Sequence, residues 1–312
     1  MRHGVIVELG AMPLALAGVV ACAACGGGSA QHRPDPDDQL PCEPGGAFDL
    51  NGRFALIATL NEEISVLGLE LEDPNPQAEV FLMMDLVVDG TTVDANVRVC
   101  DITIPPVQLK GQPKPLQFVA PPELKAAEPW ERVATTLSGT TTCSTFSTDA
   151  PLTVVLGTRL KDRLHDPLPV DPQTQGCDGD PLTPCDATEE LGCICDYEND
   201  GQPGATLDVI DAPVLPDLDK IYVTQRLFLT LSGRVHGSDL LAGAATDSLE
   251  HGILDCHRLS GPCSAEAASV IQRINPTIEQ DPRYPSTFIA KRIDATWDCL
   301  RLVSERNAVF PK

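Results

Sequence analysis

Between residues 219 and 236 apolar and polar side chains alternate with a period of two. Ile221, Val223, Leu227, Leu229, Leu231 and Val235 share one face, broken by Gln225 and Gly233. Thr224, Arg226, Thr230, Ser232 and Arg234 lie opposite. A helix would scatter these apolar groups around its axis, whereas an extended strand gathers them. Similar runs fill much of the chain. Residues 53–60 and 63–71 are strand-like, and 79–88 are apolar on both faces, as in a buried strand. Asp89-Gly90 signals a tight hairpin. In the next strand Val93, Ala95, Val97 and Val99 oppose Asp94, Asn96 and Arg98. Thr-rich segments 132–137 and 140–148 read as a pair turning at Ser138-Gly139. Residues 151–160 read as another strand, and 238–256 as a further strand pair.

Helical spacing occurs twice. It covers 264–274, which starts at Ser264 and stops before Pro276, and 296–307, where Thr296 is placed to cap a helix carrying Cys299, Leu300 and Val303. The 24 Gly and 28 Pro favour a turn-rich β chain over a helical bundle. The fold expected is mostly β: an antiparallel sandwich or barrel with a long disulfide-stapled acidic loop and a short C-terminal helix. One β domain over residues 47–312 accounts for the strands, and two sandwiches divided near 150–215 are the alternative. With only 2 Trp and 3 Tyr, the aromatic girdles of an outer-membrane barrel are missing.

The chain has 12 Cys, two of them within the first 25 residues. The other ten are Cys42, Cys100, Cys143, Cys177, Cys185, Cys193, Cys195, Cys256, Cys263 and Cys299. Their even number is compatible with a set of disulfides, and such density points to an oxidising compartment. Four of them lie in an insert at 162–219, which also holds 15 Asp or Glu and a single Arg. No run in the insert alternates long enough for a regular strand. The insert contains no CxxC pair, and no His lies between 166 and 235, so disulfides are favoured over zinc.

Residues 10–24 (GAMPLALAGVVACAA) are apolar and uncharged, but too short to span a membrane. With small residues running into a Cys, the segment resembles the signal of bacterial lipoproteins, in which that Cys is lipidated and becomes the mature N-terminus. Cys22 fits this motif, with Val19 and Ala21 before it; Cys25 is the alternative. The resemblance implies export and a lipid anchor at the outer membrane or cell surface. Residues 1–25 then form the signal, and the Gly-, Pro- and Asp-rich residues 26–46 a disordered tether.

Lys and Arg total 22 against 45 Asp and Glu, a net charge of −23. Nucleic acid is therefore excluded as a partner. No phosphate loop, dinucleotide fingerprint, HExxH or G-x-S-x-G motif is present. His236, His251 and His257, with Asp239, Glu250 and Asp255, are the only grouping that suggests hydrolysis, and no catalytic residue is assigned. Residues 196–204 place acidic oxygens at alternate positions before a Gly. The stretch resembles the DxDxDG calcium loops of EF-hand, dockerin and thrombospondin type 3 modules. That resemblance puts Asp196, Glu198 and Asp200 at ligand positions, followed by Gln202 and Asp208, with Gly201 at the turn. Where an EF-hand has its bidentate Glu, this chain has Leu207. The expected function is that of a non-enzymatic cell-envelope lipoprotein with an unknown protein or small-molecule partner and no cofactor. A calcium-stabilised binding module and an envelope hydrolase are the alternatives.

Overall fold

The computed structural model describes residues 48–65, 70–72, 77–127, 136–142, 144–212, 217–273 and 277–311. In it the alternating runs pair into an antiparallel sheet that closes on itself. Eight strands make the circuit in chain order: β1 (Gly52–Ser65), β2 (Gln77–Asp89), β3 (Thr92–Thr103), β5 (Thr136–Thr141), β6 (Thr145–Thr148), β11 (Leu218–Val235), β12 (Leu240–Arg258) and β15 (Thr287–Arg292). β15 returns to β1, from Phe54↔Arg292 to Thr59↔Thr287, and β12 joins β15 to β11. The fold is therefore a barrel, and closure removes the exposed strand edges there. Strands β4 (Gln117–Val119), β7 (Leu152–Leu156), β10 (Ala205–Ile210) and β14 (Thr277–Gln280) extend the walls. Three two-residue pieces complete the set: β8 (Thr158–Arg159), β9 (Cys193–Ile194) and β13 (Gly261–Pro262).

Period two sets the inside of the barrel. Phe54, Leu56, Ala58 and Leu60 of β1 point inward with Leu82, Met84 and Leu86 of β2 and the four alternating apolar residues of β3. Phe146 and Phe288 pack across this core with ring centroids 6.2 Å apart. The circuit is complete only towards one end. β3 pairs with β5 from Thr92 to Asn96, and beyond that β2 is its one strand partner among the described residues. A short helix, α1 (Pro122–Ala126), lies beside this stretch: Leu124 is buried in the main core, and Lys125 Nζ is 2.5 Å from Asp101 Oδ1.

Several sequence expectations change in detail. The two runs at 53–60 and 63–71 begin as one strand, β1. The pair expected at 238–256 is a single strand, β12, which forms a long hairpin with β11. Gly233 and Gly243 face each other in this hairpin; a Cβ on Gly243 would lie 2.3 Å from the Gly233 Cα, so only glycine permits the approach. Ser138-Gly139 lies within β5, not at a turn. The insert does contain a regular strand, β10, paired with β11 and β4.

Helix α2 (Ala265–Arg273) falls where expected. The C-terminal segment forms α3 (Cys299–Ser304) and α4 (Arg306–Val309). Asp298, not Thr296, caps α3, its carboxylate accepting from the Arg301 amide at 2.8 Å. The inward residue of α3 is Leu302, while Leu300 is 83 % exposed. Leu302 packs on the outside of the barrel with Ala55, Phe81 and Met83, and the Cys100–Cys299 disulfide secures the contact.

Part of the insert is folded across the outer face of β11 and β12. Ile194 packs there with Tyr222 and Leu254, and the Thr224 hydroxyl donates to the Pro169 carbonyl at 2.7 Å. Disulfides Cys177–Cys193 and Cys185–Cys195 staple it, and Cys256–Cys263 closes the end of β12. Cys42, Cys143, the signal-like segment and the tether lie outside the described residues.

Candidate functional site

The acidic turn is built from its flanking covalent frame. Cys195 is held by Cys185, and the next residue, Asp196, is 2 % exposed. Asn199 and Gly201 take positive φ values of 60° and 79°, which fold the chain back sharply. One carboxylate oxygen from each of Asp196, Glu198 and Asp200 then lies within 4.8 Å of the others. The turn's own donors bind many of the oxygens. Asp196 accepts from the Asp200 and Gly201 amides at 3.0 and 2.7 Å. Asp200 accepts from the Gln202 amide and the Thr206 hydroxyl, both at 3.0 Å. Glu198 Oε1 accepts from the Thr206 amide at 2.6 Å. Its second oxygen is buried without a hydrogen-bond partner.

Three gathered carboxylates repel one another, and burial strips them of water. Burial pushes the Glu198 carboxyl up to about 8, with the charges of Asp200 and Asp196 adding to it. Burial also raises Asp196, against the two amides that donate to it. A cation would relieve this repulsion, and the donor set is all oxygen, as hard cations require. The other two residues are placed differently. Gln202 contributes its amide hydrogen to Asp200. Asp208 lies outside the three-carboxylate group, in β10, where Lys220 is its register partner on β11.

The histidines are not brought together. His236 follows β11 at the hairpin tip, bonded through its amide to the Leu240 carbonyl. His257 sits near the far end of β12, with Nδ1 2.9 Å from Asp219 Oδ1. His251 points into the barrel. Glu250 points outward to Arg226, and Asp255 accepts from the Cys256 amide.

The barrel interior holds a second concentration of polar groups, which the sequence does not single out. Glu62 and Asp247 occupy inward positions of β1 and β12 and are 5 % and 7 % exposed. The two carboxyls lie close enough to influence each other, and neither oxygen of Asp247 has a hydrogen-bond partner. Burial first, then Asp247, pushes Glu62 up to about 8, and burial raises Asp247 as well. Glu62 also lines a cavity of about 140 Å³ with apolar walls, which Gln225 and His251 reach from β11 and β12.

No family model, curated protein or solved structure matches this chain. The site therefore rests on its own chemistry. The acidic turn was readable because its ligand pattern is contiguous. The interior group was not, because its members lie 185 residues apart between Glu62 and Asp247 and each reads singly as a break in an apolar face. The only local signal was Gln225, a polar residue on the inward side of β11.

Proposed function

We propose that this chain is an exported, lipid-anchored protein of the cell envelope with a non-enzymatic binding role. The observation that supports it is the covalent frame: four disulfides among the described residues, two of them crowded into Cys177–Cys195. Such a frame suits an oxidising compartment and is rare in reducing cytosol. The lipoprotein-like segment before the barrel supplies the route and the anchor, with Cys22 as the lipidated residue and Cys25 as the alternative. The hydrolase alternative draws nothing from the separated histidines.

The test is an intact mass of the protein taken from its native envelope, with and without reductant. The expected species begins at Cys22 or Cys25, carries a diacylglyceryl-type addition, and gains at least eight alkylation sites on reduction. A species starting at Met1 with all thiols free would sink the reading.

A second reading is favoured by Glu198. Its partnerless buried oxygen, next to two further carboxylates, supports calcium uptake by Asp196, Glu198 and Asp200. An ion there would brace the insert against β11, through Thr206 and β10. Calcium that binds only the folded protein must raise its melting temperature over that in EGTA. No shift at millimolar calcium removes this reading and leaves the first intact.

A further inference from the structure

We propose that the barrel cavity is a binding site for a small uncharged amphiphile, an apolar body of about six to eight heavy atoms bearing one hydroxyl-type group. An eight-stranded barrel is at the size where side chains fill the interior or leave room for one small ligand. Both occur in this molecule. Phe54, Phe146 and Phe288 fill the closed end, and a space of about 140 Å³ remains towards the other. An apolar cavity of about 150 Å³ is enough to admit benzene.

The wall is not that of a merely imperfect core. Leu60, Val80, Val223 and Leu227 supply its apolar surface. Three polar side chains from three strands meet the same space: Glu62 from β1, Gln225 from β11 and His251 from β12. Gln225 and His251 are direct cross-strand partners. A few convergent polar groups in an apolar pocket are what fixes the orientation of a small ligand. Ile102 and Phe118 line the cavity from β3 and β4, so it reaches the stretch where β3 has left β5 and pairs with β2 alone among the described strands.

The polar groups also select charge. Glu62 and Asp247 lie together on the inner face, 5 % and 7 % exposed, where burial favours the protonated form of each. An anionic head would lose its hydration among apolar walls and beside two carboxyls. An ammonium head would lose hydration too, and would have to ionise carboxyls that burial keeps protonated. A hydroxyl can donate to the Glu62 carbonyl oxygen and accept from the Gln225 amide without changing either charge.

The test uses the full chain and three probes with one six-carbon tail: 1-hexanol, hexanoate and hexylamine, titrated by protein-observed NMR at pH 7. Hexanol is expected to bind saturably, with both charged probes at least tenfold weaker. Contacts from the hexanol methyl to the methyls of Leu60 and Val223 in the unaltered protein would locate it. Ala78→Phe, on the cavity wall, should abolish binding in a folded protein. The proposal is overturned if hexanol does not saturate, if either charged probe comes within tenfold of it, if its methyl contacts lie elsewhere, or if folded A78F binds it unchanged.

Discussion

Glu62 of β1 and Asp247 of β12 come together inside the barrel, and burial favours the protonated form of each carboxyl. The native state therefore holds a proton that the unfolded chain releases near the ordinary carboxylate value. From that value up to about 8, the folded form binds the extra proton and stability falls as pH rises. Glu62→Gln supplies a neutral amide that can still donate to Asp247. Urea unfolding at pH 5 and pH 8 should show the variant gaining on the parent across that interval, on the order of 2 kcal/mol. An unchanged difference between the two pH values would mean that Glu62 is ionised in the folded protein.

Arg226 anchors the insert. The side chain is on the outer face of β11, yet the residue is 4 % exposed. Its guanidinium donates to Glu250 Oε2 at 2.5 Å and to the carbonyls of Arg163 and Asp166 at 3.0 and 2.7 Å, and lies 4.8 Å over the Phe228 ring. Arg226→Ala would leave two carbonyls without this donor and the Glu250 charge without its partner. Because Glu250 is half exposed, the expected loss is about 2–3 kcal/mol, below that of a fully buried pair. Hydrogen exchange should speed up at 163–170 before it changes in β1 or β2.

These two contacts show where sequence patterning stops. The alternation of β3 was readable because one face is core and the other is solvent. The alternation of β11 was equally clear, but its second face was not readable: Thr224 and Arg226 are buried because a distant segment covers them. Ser138-Gly139 looks like a turn, yet its glycine serves close packing, since a Cβ at Gly139 would lie 2.3 Å from the Ser147 carbonyl. Gly252 interrupts β12 for a similar reason, with Val170 of the insert pressed over it. The acidic turn was legible to Asp200, but counting on to Asp208 failed. By Ala205 the chain is already in β10, which aims Leu207 into the core. The Glu62–Asp247 pair depends on barrel closure, which no local pattern encodes.

The Cys100–Cys299 disulfide ties the C-terminal helices to the barrel across 199 residues of sequence. Leu302 alone of α3 is fully buried, so the helix has little apolar contact to hold it without the bond. Replacing both cysteines by serine should cost about 2–5 kcal/mol. Limited proteolysis should then cut first within 294–311, while the barrel survives as a resistant fragment. Equal resistance of the C-terminal segment in the two proteins would show that Phe81, Met83 and Leu302 hold it unaided.

Glu198 separates calcium uptake from a merely solvated acidic turn. In Glu198→Gln the amide oxygen can still accept from the Thr206 amide, so the turn keeps its hydrogen bond while losing one carboxyl ligand. In EGTA the variant should melt no lower than the parent, since it removes a carboxyl that burial disfavours. In calcium at about a hundredfold over its dissociation constant, the parent should gain about 2.7 kcal/mol and the variant far less. Asp186→Asn also removes one carboxyl from the same insert, at an exposed position outside the three-carboxylate group. It should keep the full calcium response. A response lost equally in both variants would assign the effect to the insert's overall charge, and a response retained in Glu198→Gln would remove Glu198 from the ligand set.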